Sequence, residues 1–221
     1  LTARSCGLAG CMVSLRHLEG TRPNEYKDVT PLHVAAQDAD ISAAKALLAT
    51  PEGMSMLNVQ DPVGMTPLHH AARQPPSDFF SWDRNEVLKL LVAAGADLEI
   101  RDHFESTAMH IAAYCGHPEG GACEVLADAG ARLDVQENQQ GNTPLHLGGV
   151  LGQELPMFYM LQFRDGRLRD TSKMAISIRN NAGKSALEVA TEKKLNWKPT
   201  VKVIKSFERL VHLEAKKSAA G

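Results

Sequence analysis

Histidine is the residue type in this 221-residue chain whose positions most suggest chemistry. Imidazole nitrogens bind zinc and act as general bases, so adjacent His69 and His70 in the stretch MTPLHHAA could belong to a reactive or metal site. The stretch recurs, however, and four copies share one histidine position, at His33, His69, His110 and His146. Stacked units would place these side chains in successive layers, which indicates a structural role. His70 is outside this pattern, since most copies have an apolar residue there; it is either a harmless substitution or faces the concave surface.

The four cysteines are the other candidate metal ligands. Cys6 and Cys11 lie near His17, but a four-residue gap without a second cysteine pair is weak evidence for a metal site. Cys115 and Cys123 flank a predicted turn between two helices and are expected to be buried or half-buried free thiols. Four irregularly spaced cysteines favour a reducing compartment over a disulfide scaffold. We therefore expect no metal ion and no cofactor.

Sequence motifs for catalysis are missing from the chain. There is no phosphate-binding loop, dinucleotide fingerprint, nucleophile elbow or zinc-protease motif. The carboxylates are spread along predicted turns and form no recognisable acid–base pair. The sequence therefore predicts a protein that is not an enzyme.

Five related stretches organise the chain. Their first threonine or serine lies at positions 30, 66, 107, 143 and 185, so successive stretches are 36, 41, 36 and 42 residues apart. Recurrence of one pattern at this period indicates a stack of repeated units. The stretches are VTPLHVAA (29–36), MTPLHHAA (65–72), STAMHIAA (106–113), NTPLHLGG (142–149) and the weaker KSALEVA (184–190).

Each unit predicts two helices. Thr30, Thr66 and Thr143 precede a proline, and this pair is typical of a helix start because the threonine oxygen caps the helix and proline is tolerated at its first position. Gly95 and Gly130 follow the second helix, where a left-handed residue commonly ends it. The second helices are expected within 41–49, 86–96, 123–131 and 155–163. Short segments rich in Asp, Asn and Gly then turn into the next unit.

The Thr-Pro-Leu-His-x-Ala stretches and the later Gly-Ala pairs resemble the ankyrin repeat, over roughly residues 26–211. The resemblance implies an all-α solenoid of about five helix-turn-helix units with projecting hairpin loops, in which the recurring histidine hydrogen-bonds to neighbouring backbone. The predicted domains are an irregular N-terminal extension (1–25), repeats at 26–61, 62–102, 103–138 and 139–180, the start of a degenerate last unit (181–190), and a C-terminal segment (191–221).

The C-terminal segment is predicted to close the stack. Val201, Ile204, Phe207, Leu210 and Val211 recur at helical spacing, and a solenoid must cover its terminal apolar face. Residues 191–221 also carry a local charge of +5 in a chain of net charge −2. An alternative reading is therefore an anion- or nucleic-acid-directed helix, which would use Lys193, Lys194, Lys198, Lys202 and Lys205.

Two insertions lengthen the repeat. Segment 73–85 places Phe79, Phe80 and Trp82 together, and either folds over its own helices or contacts a partner. Segment 164–175 contains three arginines and is either a solvated polar loop or a docking loop.

The fourth unit has Gly148 and Gly149 where other units have paired alanines. Glycine inside a helix costs about 1 kcal/mol relative to alanine, so this unit is expected to be the least stable.

The resemblance implies a protein-binding scaffold or adaptor, or a structural subunit of a larger assembly. The partner is expected to be another protein, bound on the concave face formed by the first helices and the loop tips. Candidate contacts are Tyr114, Val150, Leu151, His103 and Phe104, with Phe79, Phe80 and Trp82 as a separate patch.

Composition restricts other partners and the compartment. A net charge of −2 and a pI near 6.5 argue against nucleic acid, and nothing indicates a homo-oligomer. No apolar run reaches the ~20 residues that span a bilayer, so membrane contact is expected to be indirect. We expect an intracellular, reducing compartment, with the cytoplasm favoured. An organelle is the alternative, because residues 1–18 carry Arg4 and Arg16 and no acidic residue.

Overall fold

The computed structural model describes residues 28–73, 84–116, 121–152, 154–161, 170–192 and 198–219. Within these ranges the chain forms twelve helices and no strand, with one isolated antiparallel bridge between Arg179 and Ser185. The all-α prediction is confirmed. Several predicted features lie outside the described residues: Cys6, Cys11 and His17; Phe79, Phe80 and Trp82; the arginines of segment 164–169; Lys193 and Lys194.

The helices form two parallel rows. The first-helix row consists of α1 (Pro31–Gln37), α4 (Pro67–Ala72), α6 (Ala108–Cys115), α8 (Pro144–Leu151) and α11 (Ala186–Glu192), each packed on the next. The second-helix row consists of α2 (Ile41–Leu48), α5 (Arg84–Ala93), α7 (Gly121–Asp128), α9 (Glu154–Leu161) and α12 (Lys198–Ala219). Two further helices, α3 (Pro51–Ser55) and α10 (Asp170–Ser177), lie in connections between units.

A threonine in extended conformation precedes the helix in each of the first four units, as the sequence predicts. The third unit has Ala108 where the others have proline, and α6 nevertheless begins there. Capping by Thr107 is therefore sufficient to start the helix, because proline only adds a preset backbone angle.

The core runs along the stack between the two rows. One large side chain per unit, Leu32, Leu68, Met109 or Leu145, is fully buried. The alanines that follow are buried as well, and their small size lets neighbouring helices approach closely. Gly95 and Gly130 have the predicted left-handed backbone, with φ of +89° and +95°.

Gly148 and Gly149 allow close packing of neighbouring helices, a role that the prediction of an unstable fourth unit did not consider. A Cβ atom on Gly148 would lie 2.8 Å from Met157 Cγ, and one on Gly149 would lie 3.0 Å from the Ala186 carbonyl oxygen. The glycines therefore let α9 and α11 approach α8 closely, which offsets part of their intrinsic cost in the helix.

Helix α12 covers the C-terminal end of the described stack. It packs against α9, α10 and α11, with Ile204 and Phe207 buried and Val201 and Leu210 partly buried. The amphipathic helix predicted over 201–215 is present. None of the described helices combines the length and apolar character needed to cross a bilayer.

Candidate functional site

The four recurring histidines join each helix start to the following unit. In the second unit, His69 Nδ1 accepts a hydrogen bond from the Thr66 backbone N–H at 3.1 Å and lies 2.8 Å from Thr66 Oγ1. His69 Nε2 lies 3.1 Å from the Ser106 carbonyl oxygen. A carbonyl oxygen only accepts, so Nε2 carries a proton. Because Nδ1 accepts a hydrogen bond, it carries none, and the ring is neutral. The other three rings, at His33, His110 and His146, repeat this arrangement.

Both nitrogens of each recurring imidazole are therefore occupied by backbone partners, and the structural role is confirmed. Burial lowers the pKa of His69 and of His110 to about 4. Burial also lowers the pKa of His33 and His146 below the usual value. Neutral rings with no free lone pair cannot act as bases or metal ligands in this state. Within the described residues, no group of three or more His, Cys, Asp or Glu side chains is placed to hold a metal ion.

His70 is buried, so it does not present its side chain on the concave surface, which was one of the two sequence-based alternatives. Its Nε2 lies 2.9 Å from Asp61 Oδ2, and its ring meets His33 edge to face at 5.5 Å between centroids. Asp61 Oδ1 accepts hydrogen bonds from the backbone N–H groups of Val63 and Met65. Burial alone would raise the pKa of Asp61, but the bond to His70 and these two backbone bonds outweigh it and lower the pKa. His70 thus ties the preceding loop tip to the helix.

The two described cysteines have the burial that the sequence predicts. Cys123 is buried and Cys115 is half-buried. Burial, with a smaller contribution from Cys115, raises the pKa of the Cys123 thiol, so it is a poor nucleophile.

Four loop tips project beside the first-helix row: tip 2 (61–65), tip 3 (102–106), tip 4 (137–142) and tip 5 (180–184). In each, the first residue carries a side-chain oxygen that accepts backbone N–H groups of the turn; these residues are Asp61, Asp102, Glu137 and Asn180. Tip 4 contains one extra residue. The longer side chain of Glu137 spans it, accepting from the backbone N–H groups of Gln139, Gln140 and Asn142.

Backbone hydrogen bonds join successive tips into one ladder. The N–H of His103 donates to the Val63 carbonyl at 3.1 Å, that of Asn138 to Phe104 at 3.1 Å, and that of Asn181 to Gln140 at 2.9 Å. Because each tip is bonded to its neighbour, the row is a preformed surface.

Tip 3 differs from the others at its fourth position. Gly64, Gly141 and Gly183 occupy the left-handed turn position in the other tips, whereas tip 3 has Glu105 with φ of +60°. A side chain in this conformation costs about 1–2 kcal/mol. The ion pair between Arg101 and Glu105 is exposed and offsets little of that strain.

The structure brings three predicted contact residues together. Tyr114 and Leu151, at the ends of α6 and α8, are partly buried and pack on Val150 and Val189 in a small cluster beside the main core. Val150 is only 8% exposed, so it supports its neighbours and presents little surface itself. The ends of successive first helices thus carry an apolar patch, the Tyr114–Leu151 patch.

The other two described contact residues lie on tip 3, where His103 is exposed and Phe104 partly exposed. The sequence-based selection missed the exposed tip residues Pro62, Asn138, Gln139 and Asn181. Aligning the turn segments on Asp61, Asp102, Glu137 and Asn180 would have revealed them, because they follow these acceptors directly.

Comparisons with known proteins agree with this architecture. A family model described as ankyrin repeats, in three copies, matches residues 3–102 and 79–161. The chain is 27% identical over 172 residues to the transient receptor potential cation channel subfamily A member 1 homolog of Caenorhabditis elegans, covering 78% of this chain and 12% of the channel.

Two further relatives belong to other protein classes. The B-cell lymphoma 3 protein homolog of Mus musculus is 30% identical over 146 residues, which is 64% of this chain and 30% of that protein. The E3 ubiquitin-protein ligase XBAT32 of Arabidopsis thaliana is 31% identical over 118 residues, which is 53% of this chain and 21% of the ligase. The chain therefore spans less than a third of each of these three relatives.

Proposed function

Because the chain belongs to the ankyrin-repeat family, we propose that it is a non-enzymatic scaffold that binds another protein. The binding surface would combine the Tyr114–Leu151 patch with the tip ladder, which lies at the opposite end of the same first helices. The single observation that best supports this surface is the apolar patch at the ends of α6 and α8, the two helices that begin directly after tips 3 and 4. A preformed surface keeps the ordering cost of association low.

The exposed side chains change from apolar to polar along the row of tips, and this change limits the kind of partner. Tips 2 and 3 offer the partly exposed apolar side chains of Val63 and Phe104, whereas tips 4 and 5 offer the exposed amides of Asn138, Gln139 and Asn181. A fitting partner would place apolar side chains over tips 2 and 3 and hydrogen-bonding groups over tips 4 and 5. Aromatic side chains such as Tyr114 and Phe104 are typical anchors of such interfaces.

Replacing Leu151 by glutamate should abolish partner recovery without unfolding the protein. The charge would enter the centre of the apolar patch, and an uncompensated charge in an interface costs at least about 2 kcal/mol, or roughly thirtyfold in affinity. The full chain is used for affinity purification under mild conditions, followed by cross-linking to identify the residues in contact. Recovery of each partner is compared between wild type and Leu151→Glu.

The matched control is Met174→Glu. Met174 is 56% exposed on α10 and lies outside the patch. Partners retained by Met174→Glu and lost by Leu151→Glu, with equal thermal melts for both variants, support the surface. Undiminished recovery with Leu151→Glu, or cross-links confined to the second-helix row, would contradict it.

A regulatory adaptor and a fixed subunit remain two versions of this proposal. The relatives are named as a channel, a lymphoma protein and a ligase, so they do not favour one version. Recovery only in a large complex after gentle isolation would support a subunit, while a monomer exchanging among partners would support an adaptor.

A second candidate function is binding of an anionic partner through α12, and one observation favours it. Five basic side chains recur along α12 at intervals of three and four residues and are all exposed, so they share one stripe about 21 Å long. The residues of this basic stripe are Lys202, Lys205, Arg209, His212 and Lys216.

This second candidate predicts binding that weakens steeply with salt. If the four lysine and arginine side chains of the stripe contact phosphates, the logarithm of the affinity for double-stranded DNA should fall linearly with the logarithm of the salt concentration, with a slope near −4. Fluorescence anisotropy with labelled DNA, and flotation with anionic vesicles, at 50–200 mM salt would measure this. Lys205→Glu should weaken binding. The control is Lys45→Glu, which changes an exposed lysine on α2 and should leave binding unchanged. No binding at the lowest salt would eliminate the candidate.

A further inference from the structure

The residue directly before a tip can form a second link to the next tip, in addition to the backbone ladder. Before tip 2, Gln60 Nε2 donates to the glycine carbonyl of its own tip at 2.7 Å and to the Arg101 carbonyl, just before tip 3, at 2.9 Å. Before tip 4, Gln136 Nε2 donates to the glycine carbonyl of its own tip at 2.6 Å and to the Arg179 carbonyl at 3.0 Å. A glutamine side chain therefore joins tip 2 to tip 3 and tip 4 to tip 5.

The junction between tips 3 and 4 lacks this glutamine. Arg101 occupies the position, and its guanidinium donates to Glu105 of the same tip at 2.8 Å. Among the hydrogen bonds of the described residues, none joins the Arg101 side chain to tip 4. Asn138 Nδ2 does point at the His103 carbonyl oxygen, but the distance of 3.5 Å is longer than the usual ~3 Å. The side-chain link at this junction is therefore the weakest of the three.

The recurring histidine also bonds less closely at this junction. In the other three units, Nε2 lies 2.9–3.1 Å from the carbonyl oxygen of the last residue of the next tip. His110 Nε2 lies 3.3 Å from the corresponding carbonyl oxygen, that of Asn142, and 3.1 Å from the carbonyl oxygen of Val135, which precedes tip 4. One proton is thus shared between two acceptors, which leaves a weaker bond to tip 4 itself.

The two halves of the proposed binding surface meet at the same junction. Tips 2 and 3 present the apolar Val63 and Phe104, and tips 4 and 5 present the amides of Asn138 and Asn181. Helices α6 and α8 remain packed on each other beneath the junction. A motion here would therefore be a small change of angle between an apolar and a polar half, and would leave the helical stack intact.

We propose that the junction between tips 3 and 4 is a hinge between two rigid pairs, tips 2 and 3 on one side and tips 4 and 5 on the other. Its role in binding rests on the proposed function: a partner that contacts both pairs fixes the angle between them. The ordering cost of binding then falls on one junction, because the glutamine links already hold each pair together.

Hydrogen exchange of backbone amides tests the hinge in the full chain without a partner. The ladder donors His103, Asn138 and Asn181 report on the three junctions in turn. Exchange followed by NMR and corrected for intrinsic rates should show Asn138 protected about fivefold less than the other two, the effect of one missing hydrogen bond. The Asn142 amide donates to Glu137 within tip 4 and should stay protected, because the tip itself remains folded.

Two variants that exchange the residue types provide matched tests. Arg101→Gln should supply the missing link to tip 4 and raise the protection of the Asn138 amide about fivefold. Gln60→Arg should remove the link between tips 2 and 3 and lower the protection of the His103 amide by a similar factor, while that of Asn181 stays unchanged. Equal thermal melts would verify that both variants keep the helical stack.

Three results would overturn the proposal. One is equal protection of the three ladder amides in the unaltered chain. Another is an Asn142 amide that exchanges as fast as Asn138, because tip 4 would then open by itself. The third is a variant, Arg101→Gln or Gln60→Arg, that leaves its reporting amide unchanged. None of these results bears on whether the chain binds a partner, which the recovery with Leu151→Glu measures separately.

Discussion

Between pH 7 and pH 5 the free energy of unfolding is expected to fall by about 4 kcal/mol, because His69 and His110 resist protonation in the folded state. Burial lowers the pKa of both from 6.5 to about 4. In the unfolded chain they take up protons as the pH falls through 6.5. The unfolded state then binds more protons, so stability is complete above pH 6.5 and is lost as the pH falls toward 4.

The hydrogen bonds explain why protonation is unfavourable. Nδ1 of each ring accepts from a threonine N–H, and a proton added there would face another donor. The lowered pKa values of His33 and His146 act in the same direction. The recurring histidines therefore make the whole stack acid-sensitive, although each ring contacts only its own unit and the next.

Urea unfolding at pH 7, 6 and 5 measures this effect, with His110→Gln as the informative variant. Glutamine at the third helical position can still accept from the Thr107 N–H but has no titrating group. The variant should be less stable at pH 7 and lose only about half as much stability on acidification. His212→Gln, at an exposed site on α12, should keep the full loss. An unchanged pH dependence in His110→Gln would contradict this explanation.

The features that follow local rules were predictable from the sequence. A threonine before proline sets a helix start through atoms within three residues, so α1, α4 and α8 lie where the pattern predicts. The recurrence of His33, His69, His110 and His146 was enough to assign them a structural role, since the repeat itself supplies the comparison.

Features that depend on a neighbouring unit were not predictable in this way. The bond between His70 and Asp61 joins residues nine apart through a turn whose path the sequence does not specify. Val150 was selected as a contact residue, yet its burial depends on packing beside Val189 of the next unit. Gly148 and Gly149 suggested an unstable helix because glycine has a low helix propensity. The close approach of α9 and α11, which requires these glycines, is visible only in three dimensions.

Replacing Gly64 by alanine should destabilise the protein by about 3 kcal/mol, and the same change at Gly183 by only about 1 kcal/mol. Both glycines occupy the left-handed position of a tip, with φ of +82° and +72°. A Cβ atom at Gly64 would lie 2.8 Å from the His103 backbone nitrogen, whereas one at Gly183 would meet no atom within 4 Å. The difference between the variants therefore measures the contact between tips 2 and 3.

Equilibrium unfolding in urea gives both values, and Glu105→Gly provides the converse test. Removing the side chain that strains tip 3 should raise stability by about 0.5 kcal/mol, since relief of the left-handed strain exceeds the added freedom of the unfolded chain. Equal losses in Gly64→Ala and Gly183→Ala would mean that the tips move independently.

If Gly64→Ala is the more destabilising variant, the tips act as a connected ladder and a change in tip 2 displaces His103 and Phe104 in tip 3. A partner bound on this surface should then bind Gly64→Ala more weakly than Gly183→Ala, although neither alanine would touch it. Rigid coupling between adjacent tips would thus determine both the stability of the stack and the geometry of its proposed binding surface.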